Sequence, residues 1–260
     1  MKRFIDKAII ITGAGSGLGA AAAKQVGLEG ANLLLVDLNM DGLEQTKKEV
    51  LSLNPTSKIE LFKADVSDEK QVEAYVAYAK EKFGRIDGFF NNAGIEGKQN
   101  LTEDFGIDEF NKVVSINLSG VFFGLKYVLK EMKEQGFGSI VNTASVGGIR
   151  GVGNQSGYAA SKHGVVGLTR NSAIEYGQFG IQINAIAPGA IMTPMVEGSL
   201  RQMGGDNWEE VGRGFVQPNP MRRFGRTEEV GHLVAFLLSG DAMFINAAVI
   251  PIDGGQSYKY

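Results

Sequence analysis

Short runs of apolar residues alternate along this chain with longer segments of helical periodicity, such as 68–83 and 108–133. The short runs have the length of buried strands and fall at 8–11, 33–36, 59–62, 86–90, 139–143, 181–186 and 249–252. Alternating strands and helices predict right-handed βαβ units and a parallel sheet, the α/β class of fold. Because the runs are apolar throughout, we expect helices to cover both faces of that sheet.

The composition of the chain excludes several kinds of site. No cysteine is present, which rules out disulfides, thiolate metal sites, iron–sulfur clusters and a cysteine nucleophile. The net charge of −3 provides no basic field for nucleic acid or an anionic membrane. No window approaches about 18 uninterrupted apolar residues, and neither histidine has partners at metal-ligand spacing. We therefore expect a cytoplasmic protein without a metal, a membrane span or a nucleic-acid partner.

A glycine-rich sequence follows the first apolar run directly. TGAGSGLG occupies 12–19, with Gly13, Gly17 and Gly19 in the spacing G-x-x-x-G-x-G, and a helical segment comes next. Glycines let the backbone approach a pyrophosphate closely, and the N-terminus of a helix offers free N–H groups with a partial positive charge. The pattern predicts a dinucleotide site. The alternative is a tight turn between strand and helix that binds no ligand.

Acidic residues at two strand ends bear on which dinucleotide is bound. Asp37 ends the second strand, where a carboxylate can accept hydrogen bonds from both ribose hydroxyls and would repel a 2′-phosphate. No Arg or Lys occupies the glycine loop or directly follows Asp37, so the sequence favours NAD over NADP. The alternative for Asp37 is a helix N-cap or turn residue. Asp65 and Val66, after the third strand, are candidates to hold the adenine, unless Asp65 or Ser67 simply caps the next helix.

Three polar side chains carry the predicted chemistry. Tyr158 and Lys162 stand four residues apart on one helix, so their Cβ atoms lie roughly 5–6 Å apart on a shared face. Ser145 follows the fifth strand, and open α/β sheets bind ligands at the carboxyl ends of their strands. We expect the Lys162 ammonium to lower the pKa of Tyr158 and Ser145 to bond the substrate oxygen as charge develops there. This set suits hydride transfer between a nicotinamide and a carbonyl or secondary-alcohol carbon, with Tyr158 as proton donor and acceptor.

Further motifs complete a pattern that runs along the whole chain. The motifs are TGAGSGLG at 12–19, DV at 65–66, NNAG at 91–94, Asn117, Ser145, YAASK at 158–162, and Pro188-Gly189 followed by Thr193. Together they resemble the short-chain dehydrogenase/reductase family. The resemblance implies one doubly wound, Rossmann-type domain over 1–260, with a seven-stranded parallel sheet flanked by helices. It also implies an alcohol dehydrogenase or ketone reductase with a small-molecule substrate, usually assembled as a homotetramer.

The same resemblance assigns roles to individual residues. Asn117 joins Ser145, Tyr158 and Lys162 in a catalytic tetrad, in which Asn117 would hold the water that links Lys162 to solvent. Thr193 would bind the carboxamide of the nicotinamide. The residues expected to bind the cofactor are Gly13, Ser16, Gly17, Leu18, Gly19, Asp37, Asp65, Val66, Asn92, Ala93, Gly94, Tyr158, Lys162, Pro188, Gly189, Ile191 and Thr193.

The substrate side of the site is less fully specified. Segments 91–100 and 142–173 are similar to family members that reduce cyclic diketones with NAD, which favours a cyclic ketone or diketone as substrate. Glu96 is expected to face the substrate with Ser145 and Tyr158; the alternative is an exposed loop acid. Residues 194–226 are interpreted as a helical lid over the substrate, the alternative being a solvated insertion.

Three other functions stay open at this point. A sugar, polyol or diol dehydrogenase of the same family would share these motifs. A 3-oxoacyl-carrier-protein reductase should favour NADPH and a basic patch for its acidic carrier, which Asp37 and the negative net charge oppose. A non-catalytic NAD-binding sensor need not keep Ser145, Tyr158 and Lys162 together.

Overall fold

Seven parallel strands form one sheet in the computed structural model, which describes residues 2–258. The strands are β1 (Ala8–Thr12), β2 (Asn32–Asp37), β3 (Ile59–Lys63), β4 (Gly88–Asn91), β5 (Gly138–Thr143), β6 (Ile181–Pro188) and β7 (Val249–Ile252). Their order is β3-β2-β1-β4-β5-β6-β7. The direction of winding reverses between β1 and β4, where doubly wound sheets bind ligands. This architecture confirms the predicted fold class.

Helices cover both faces of the sheet. Over residues 2–258 they are α1 (Gly17–Leu28), α2 (Met40–Leu53), α3 (Glu69–Phe83), α4 (Ile107–Val114), α5 (Gly120–Gln135), α6 (Ser156–Tyr176), α7 (Pro194–Gly204), α8 (Trp208–Val216) and α9 (Thr227–Leu238). Buried residues of α1, α2 and α9 form one hydrophobic cluster, and those of α3, α5 and α6 form another on the opposite face.

The central strand β1 shows why the apolar runs are continuous. Ile9 and Ile11 belong to the cluster under α1 and α9, whereas Ile10 belongs to the cluster under α3 and α5. Successive side chains of a strand point to opposite faces, so a sheet with two covered faces needs apolar residues at every position. Burial of each such side chain stabilises the fold by about 1.5–3 kcal/mol.

The fourth strand begins later than the apolar run at 86–90 predicts. Ile86 is fully buried, yet its N–H donates to Oε1 of Gln135 and its C=O accepts from Nε2 of the same side chain, both at 2.8 Å. The side-chain amide of Gln135 thus bonds the N–H and C=O groups of Ile86 in place of a neighbouring strand. The strand β4 starts only at Gly88.

The helical pattern at 108–133 becomes two α-helices joined by a π-helical turn at Ser115–Ser119. Among the described residues, only the combined run Ile107–Gln135 is long and apolar enough to cross a membrane, with a mean hydropathy of 1.3 over its most apolar window. Length and composition alone are weak support for a span, because core helices of soluble proteins pass the same test. In this fold α5 packs on the sheet and against α3, and its side chains contribute to the core.

The segment 194–226 begins with the helices α7 and α8, and its role as a lid over the substrate stays a prediction. Thr193 caps α7 by accepting a hydrogen bond from the N–H of Val196 at 3.2 Å, and Pro194 occupies the first turn, where its missing N–H has no cost. A short 3₁₀ turn at Gly205–Asn207 leads into α8.

Candidate active site

A cleft of about 300 Å³ lies at the carboxyl ends of β1, β4, β5 and β6. Most of the side chains and turns that the motifs singled out meet in it. The predicted residues that line the cleft are Gly13, Ser16, Gly17, Leu18, Asp37, Asn92, Ala93, Gly94, Ser145, Tyr158, Lys162, Pro188, Gly189, Ile191 and Thr193.

The residues predicted for the site and the residues that line the cleft are not the same set. Gly19, Asp65, Val66, Glu96 and Asn117 do not line the cleft. Lining residues that no motif identified are Thr143, Ala144, Pro194, Met195 and Val196. Thr143 and Ala144 directly precede Ser145, and Pro194, Met195 and Val196 directly follow Thr193. Their adjacency to predicted site residues is the one feature of the sequence that could have identified them.

The glycine loop packs directly on the turn that carries Asn92. Gly13 has φ of +66°, and a Cβ there would lie 2.8 Å from Nδ2 of Asn92. A Cβ at Gly19 would lie only 2.1 Å from the carbonyl oxygen of Gly13. Oγ1 of Thr12 accepts from the N–H groups of Asn92 and Ala93 at 2.9 and 3.1 Å. These contacts let the loop fold tightly on itself and on the Asn92 turn. At Gly17, which has φ of +53°, a Cβ would instead face Cγ2 of Thr193 across the cleft at 3.6 Å. The loop therefore forms a backbone cradle at the N-terminus of α1, of the kind that a dinucleotide site requires.

Asp37 joins this cradle to the end of β2. Its Oδ2 accepts from the N–H of Gly15 at 2.9 Å and its Oδ1 from the N–H of Asn39 at 3.0 Å. Asn39, not Asp37, caps α2 by accepting from Gly42, so the N-cap half of the alternative for Asp37 is wrong. The bond that Asp37 accepts from the N–H of Asn39, two residues later, is the contact of a turn residue, as the other half of the alternative predicted. Among the described residues, Lys162 is the only basic side chain that lines the cleft.

Asp65 and Val66, unlike Asp37, do not line the cleft. Oδ1 of Asp65 accepts from the N–H and the Oγ of Ser67, at 2.8 and 2.7 Å. The N-cap of α3 is Asp68, which accepts from Lys70 and Gln71. Neither of the alternatives for that cap is therefore correct, and the adenine role of Asp65 and Val66 stays a prediction.

Ser145 follows the end of β5 and lines the same cleft as Tyr158 and Lys162 of α6. The Nζ of Lys162 lies 5.6 Å from the centroid of the Tyr158 ring and donates to the carbonyl oxygen of Thr143 at 2.7 Å. Oγ of Ser145 accepts from the N–H of Gly147 at 3.1 Å. A Cβ at Gly94 would lie 3.0 Å from Oδ1 of Asn117 and 3.5 Å from Nζ of Lys162, so the glycine of NNAG leaves space chiefly for the Asn117 amide.

Known proteins similar to this chain match it over nearly its whole length. A family model described as Enoyl-(Acyl carrier protein) reductase matches residues 13–257. Levodione reductase of Leifsonia aquatica is 63% identical over 258 residues, 99% of this chain and 97% of that protein. The chain belongs to the short-chain dehydrogenase/reductase family.

Other members of the family extend the comparison. Cyclohexanol dehydrogenase of Acinetobacter sp. (strain SE19) is 37% identical, covering 99% of this chain and 97% of that protein. The crystal structure of levodione reductase matches with a TM-score of 0.98 at 63% identity, over 99% of this chain and 100% of that one. NAD⁺-bound xylitol dehydrogenase matches with a TM-score of 0.93 at 34% identity, over 98% and 100%.

This short-chain dehydrogenase/reductase is an oxidoreductase that interconverts a ketone and a secondary alcohol. Its family binds nicotinamide cofactors, and the glycine cradle and the Asp37 carboxylate fit the pyrophosphate and ribose of such a molecule.

The pKa values of the dehydrogenase/reductase correct one expectation. Burial raises the pKa of Tyr158 to about 12, with the Glu96 charge acting in the same direction and a hydrogen bond to Ser145 opposing both. Burial also lowers the pKa of Lys162 to about 8. The sequence predicted an acidified Tyr158. That prediction is wrong for the protein by itself, because desolvation of the phenolate is the largest effect and Lys162 is bonded to Thr143.

Asn117 lies at the π-helical turn and is fully buried. Its Oδ1 accepts from the N–H of Ile95 and its Nδ2 donates to the C=O of the same residue, both at 2.8 Å. Nδ2 also donates to Oγ of Ser161 at 3.2 Å. The Asn117 side chain therefore fixes the backbone next to Gly94. The hydrogen bonds of its amide go to Ile95 and Ser161, and none goes to Lys162. π-turns of this kind occur frequently at functional sites.

Glu96 is half-buried and bonded, so the alternative of an exposed loop acid is wrong. Its Oε1 accepts from Nε2 of Gln155 and from Oγ of Ser199. Burial raises the pKa of Glu96, while the hydrogen bonds from Ser199 and Gln155 act in the opposite direction. Gln155 and Ser199 were not identified from the sequence, because no local pattern connects positions so far apart.

Proposed function

We propose that this enzyme uses NAD(H) to interconvert a cyclic ketone or diketone and its secondary alcohol, with Tyr158 as the proton donor and acceptor. The observation that carries the proposal is the meeting of Ser145, Tyr158 and Lys162 in one cleft with Asp37 and the glycine cradle. Family resemblance also supports a homotetramer, and the absence of cysteine suits the reducing cytoplasm.

The residues around the cleft favour NAD over NADP. The glycine cradle would hold the pyrophosphate, and the Asp37 carboxylate would accept from the ribose hydroxyls. A 2′-phosphate beside Asp37 would be repelled, and the basic side chain of the cleft, Lys162, belongs to the catalytic set. The NAD⁺-bound xylitol dehydrogenase relative supports the same choice. A bound nicotinamide supplies the hydride acceptor or donor.

The side chains of this protein would handle the proton. A Tyr158 hydroxyl with a pKa of about 12 is protonated at neutral pH and can donate to a ketone oxygen during reduction. Ser145 would hydrogen-bond the same oxygen as negative charge develops. Lys162, with a pKa of about 8, keeps its ammonium charge at neutral pH and stabilises the phenolate that proton donation leaves behind.

An apolar wall supports a ring ketone over a sugar. Pro194, Met195 and Val196 at the start of α7 line the cleft. Glu96, whose carboxylate would suit hydroxyl groups, does not line the cleft, and its Oε1 already accepts from Gln155 and Ser199. The relatives named levodione reductase and cyclohexanol dehydrogenase support the same substrate class.

A steady-state screen tests the function. We expect the purified enzyme to oxidise NADH with cyclohexanone and cyclohexane-1,4-dione, and to act on xylulose at least about tenfold less efficiently, since the loss of apolar contact alone is worth that factor. NADPH should replace NADH poorly. Preference for the sugar would establish the polyol alternative, and NADH binding without turnover of any ketone would establish the sensor.

The two reaction directions should respond oppositely to alkaline pH. Reduction needs protonated Tyr158 and Lys162, so its kcat/KM should stay level at neutral pH and fall as Lys162 loses its proton near pH 8. Oxidation needs the Tyr158 phenolate, whose population grows about tenfold per pH unit below the pKa. Initial rates in both directions at constant ionic strength measure this. A reduction rate that increases with pH would contradict the assignment of Tyr158 as proton donor.

A further inference from the structure

A chain of hydrogen bonds beside the cleft joins three segments that are far apart in sequence. Oε1 of Glu96 accepts from Nε2 of Gln155 and from Oγ of Ser199, the latter at 3.1 Å. Nε2 of Gln99 donates to the same Oγ. Because an amide nitrogen can only donate, Ser199 accepts from Gln99 and gives its own proton to Glu96. The order of donors and acceptors in the chain is therefore fixed.

The residues of this hydrogen-bond chain are largely buried, so loss of one bond would leave a polar group without water to replace it. Gln155 is 9% exposed and Ser199 is 7% exposed, and Glu96 between them is half-buried. A carboxylate that leaves water is costly unless hydrogen bonds replace its hydration. Gln155 provides part of that replacement from the start of α6, and Ser199 provides its part only while α7 lies against Glu96. If α7 moved away, Ser199 would lose its acceptor and Glu96 one of its donors.

The two ends of the chain differ in how they are held. Gln155 belongs to the start of α6, where its C=O accepts from the N–H of Ala159 at 2.8 Å, and it is bridged to Asn100. It stands three positions before Tyr158. Ser199 is in the middle of α7. Within residues 2–258, Thr193 caps the start of α7, and every other side-chain hydrogen bond from 194–216 to the rest of the domain involves Ser199.

We propose that Glu96, Gln155 and Ser199 form a clamp that docks α7 onto the helix that carries Tyr158. Gln155 and Ser199 are positioning residues: they hold Met195 and Val196 at the cleft and thereby set the affinity for the substrate. The inference rests on the proposed function for its substrate readout, but docking itself can be measured without any substrate.

Ser199→Ala removes the donor from α7 and leaves the apolar contacts of the helix in place. We expect amide hydrogen exchange in 194–216 to become about tenfold faster, as expected for the loss of a hydrogen bond to a charged group. Fluorescence of Trp208, the sole tryptophan of the chain, should shift to longer wavelength as the segment loosens. KM for cyclohexanone should rise several-fold, with kcat and the KM for NADH changed less than about twofold.

Matched variants separate the clamp from other effects. Ser199→Thr keeps the hydroxyl and should restore slow exchange. Glu96→Gln keeps an acceptor oxygen and should retain most of the docking, whereas Glu96→Ala should behave like Ser199→Ala. Glu197→Gln changes a carboxylate on the exposed side of α7, where it pairs with Arg201, and should change nothing.

Two outcomes would overturn the clamp. One is unchanged exchange in 194–216 and unchanged KM in Ser199→Ala. The other is faster exchange throughout the domain with a lower Tm, which would make Ser199 a residue of general stability. If the enzyme instead prefers a sugar, the proposed substrate fails while the exchange data, recorded without substrate, still decide whether the clamp exists.

Discussion

Tyr158→Phe is expected to lower kcat for ketone reduction by about 10³-fold, because proton transfer by a positioned side chain contributes roughly 10²–10⁴-fold. The change removes only the hydroxyl that lies at Ser145 and leaves the ring in place beside Lys162. NADH affinity should therefore stay within about twofold of the parent protein. Stopped-flow or steady-state NADH oxidation gives kcat, and quenching of Trp208 fluorescence or calorimetry gives the affinity.

Tyr176→Phe is the matched control for this change. Tyr176 ends the same helix and packs on Phe179, outside the lining of the cleft. Its variant should keep full activity. If Tyr158→Phe also kept full activity, another group would have to supply the proton, and the assignment of the catalytic set would be wrong.

Asp37→Ala should reverse the preference for NADH over NADPH. Hydrogen bonds to a charged group contribute about 1.5–3 kcal/mol each, so loss of the ribose contacts should raise KM for NADH by about 10–100-fold. The KM for NADPH should change far less, since removal of the carboxylate also removes its repulsion of the 2′-phosphate. The ratio of kcat/KM for the two cofactors is the quantity to measure.

The ratio matters because Asp37 also has a structural contact. Its Oδ2 accepts from the N–H of Gly15, so the variant will loosen the glycine loop for both cofactors alike. Asp41→Ala, an exposed acid in the first turn of α2, controls for the loss of charge alone. An unchanged ratio in Asp37→Ala would show that the ribose partner is another residue.

The fold was predictable because its signals are local and repeated. Ile9, Ile10 and Ile11 are each buried against one of two helical layers, and a run of such residues identifies a covered strand without knowledge of its neighbours. The same holds for Tyr158 and Lys162, whose spacing on one helix already puts both at the cleft.

The parts that the sequence did not predict depend on distant partners. The hydrogen bonds of Glu96 come from Gln155 and Ser199. Asn117, within a π-helical turn, bonds mainly to the backbone of Ile95, 22 positions earlier in the chain. The pKa of Tyr158 is set mainly by desolvation, which spacing on a helix does not reveal. Such features require the packed structure.

The cleft is assembled from segments far apart in the polypeptide, from Gly13 to Val196. The glycine loop belongs to the first helix, yet a Cβ at Gly17 would meet Cγ2 of Thr193 at 3.6 Å, beyond β6. A growing chain on the ribosome thus has no complete dinucleotide site until most of the protein has been synthesised. Coenzyme can then stabilise only the finished domain by mass action, and chains truncated before β6 gain no such protection from degradation.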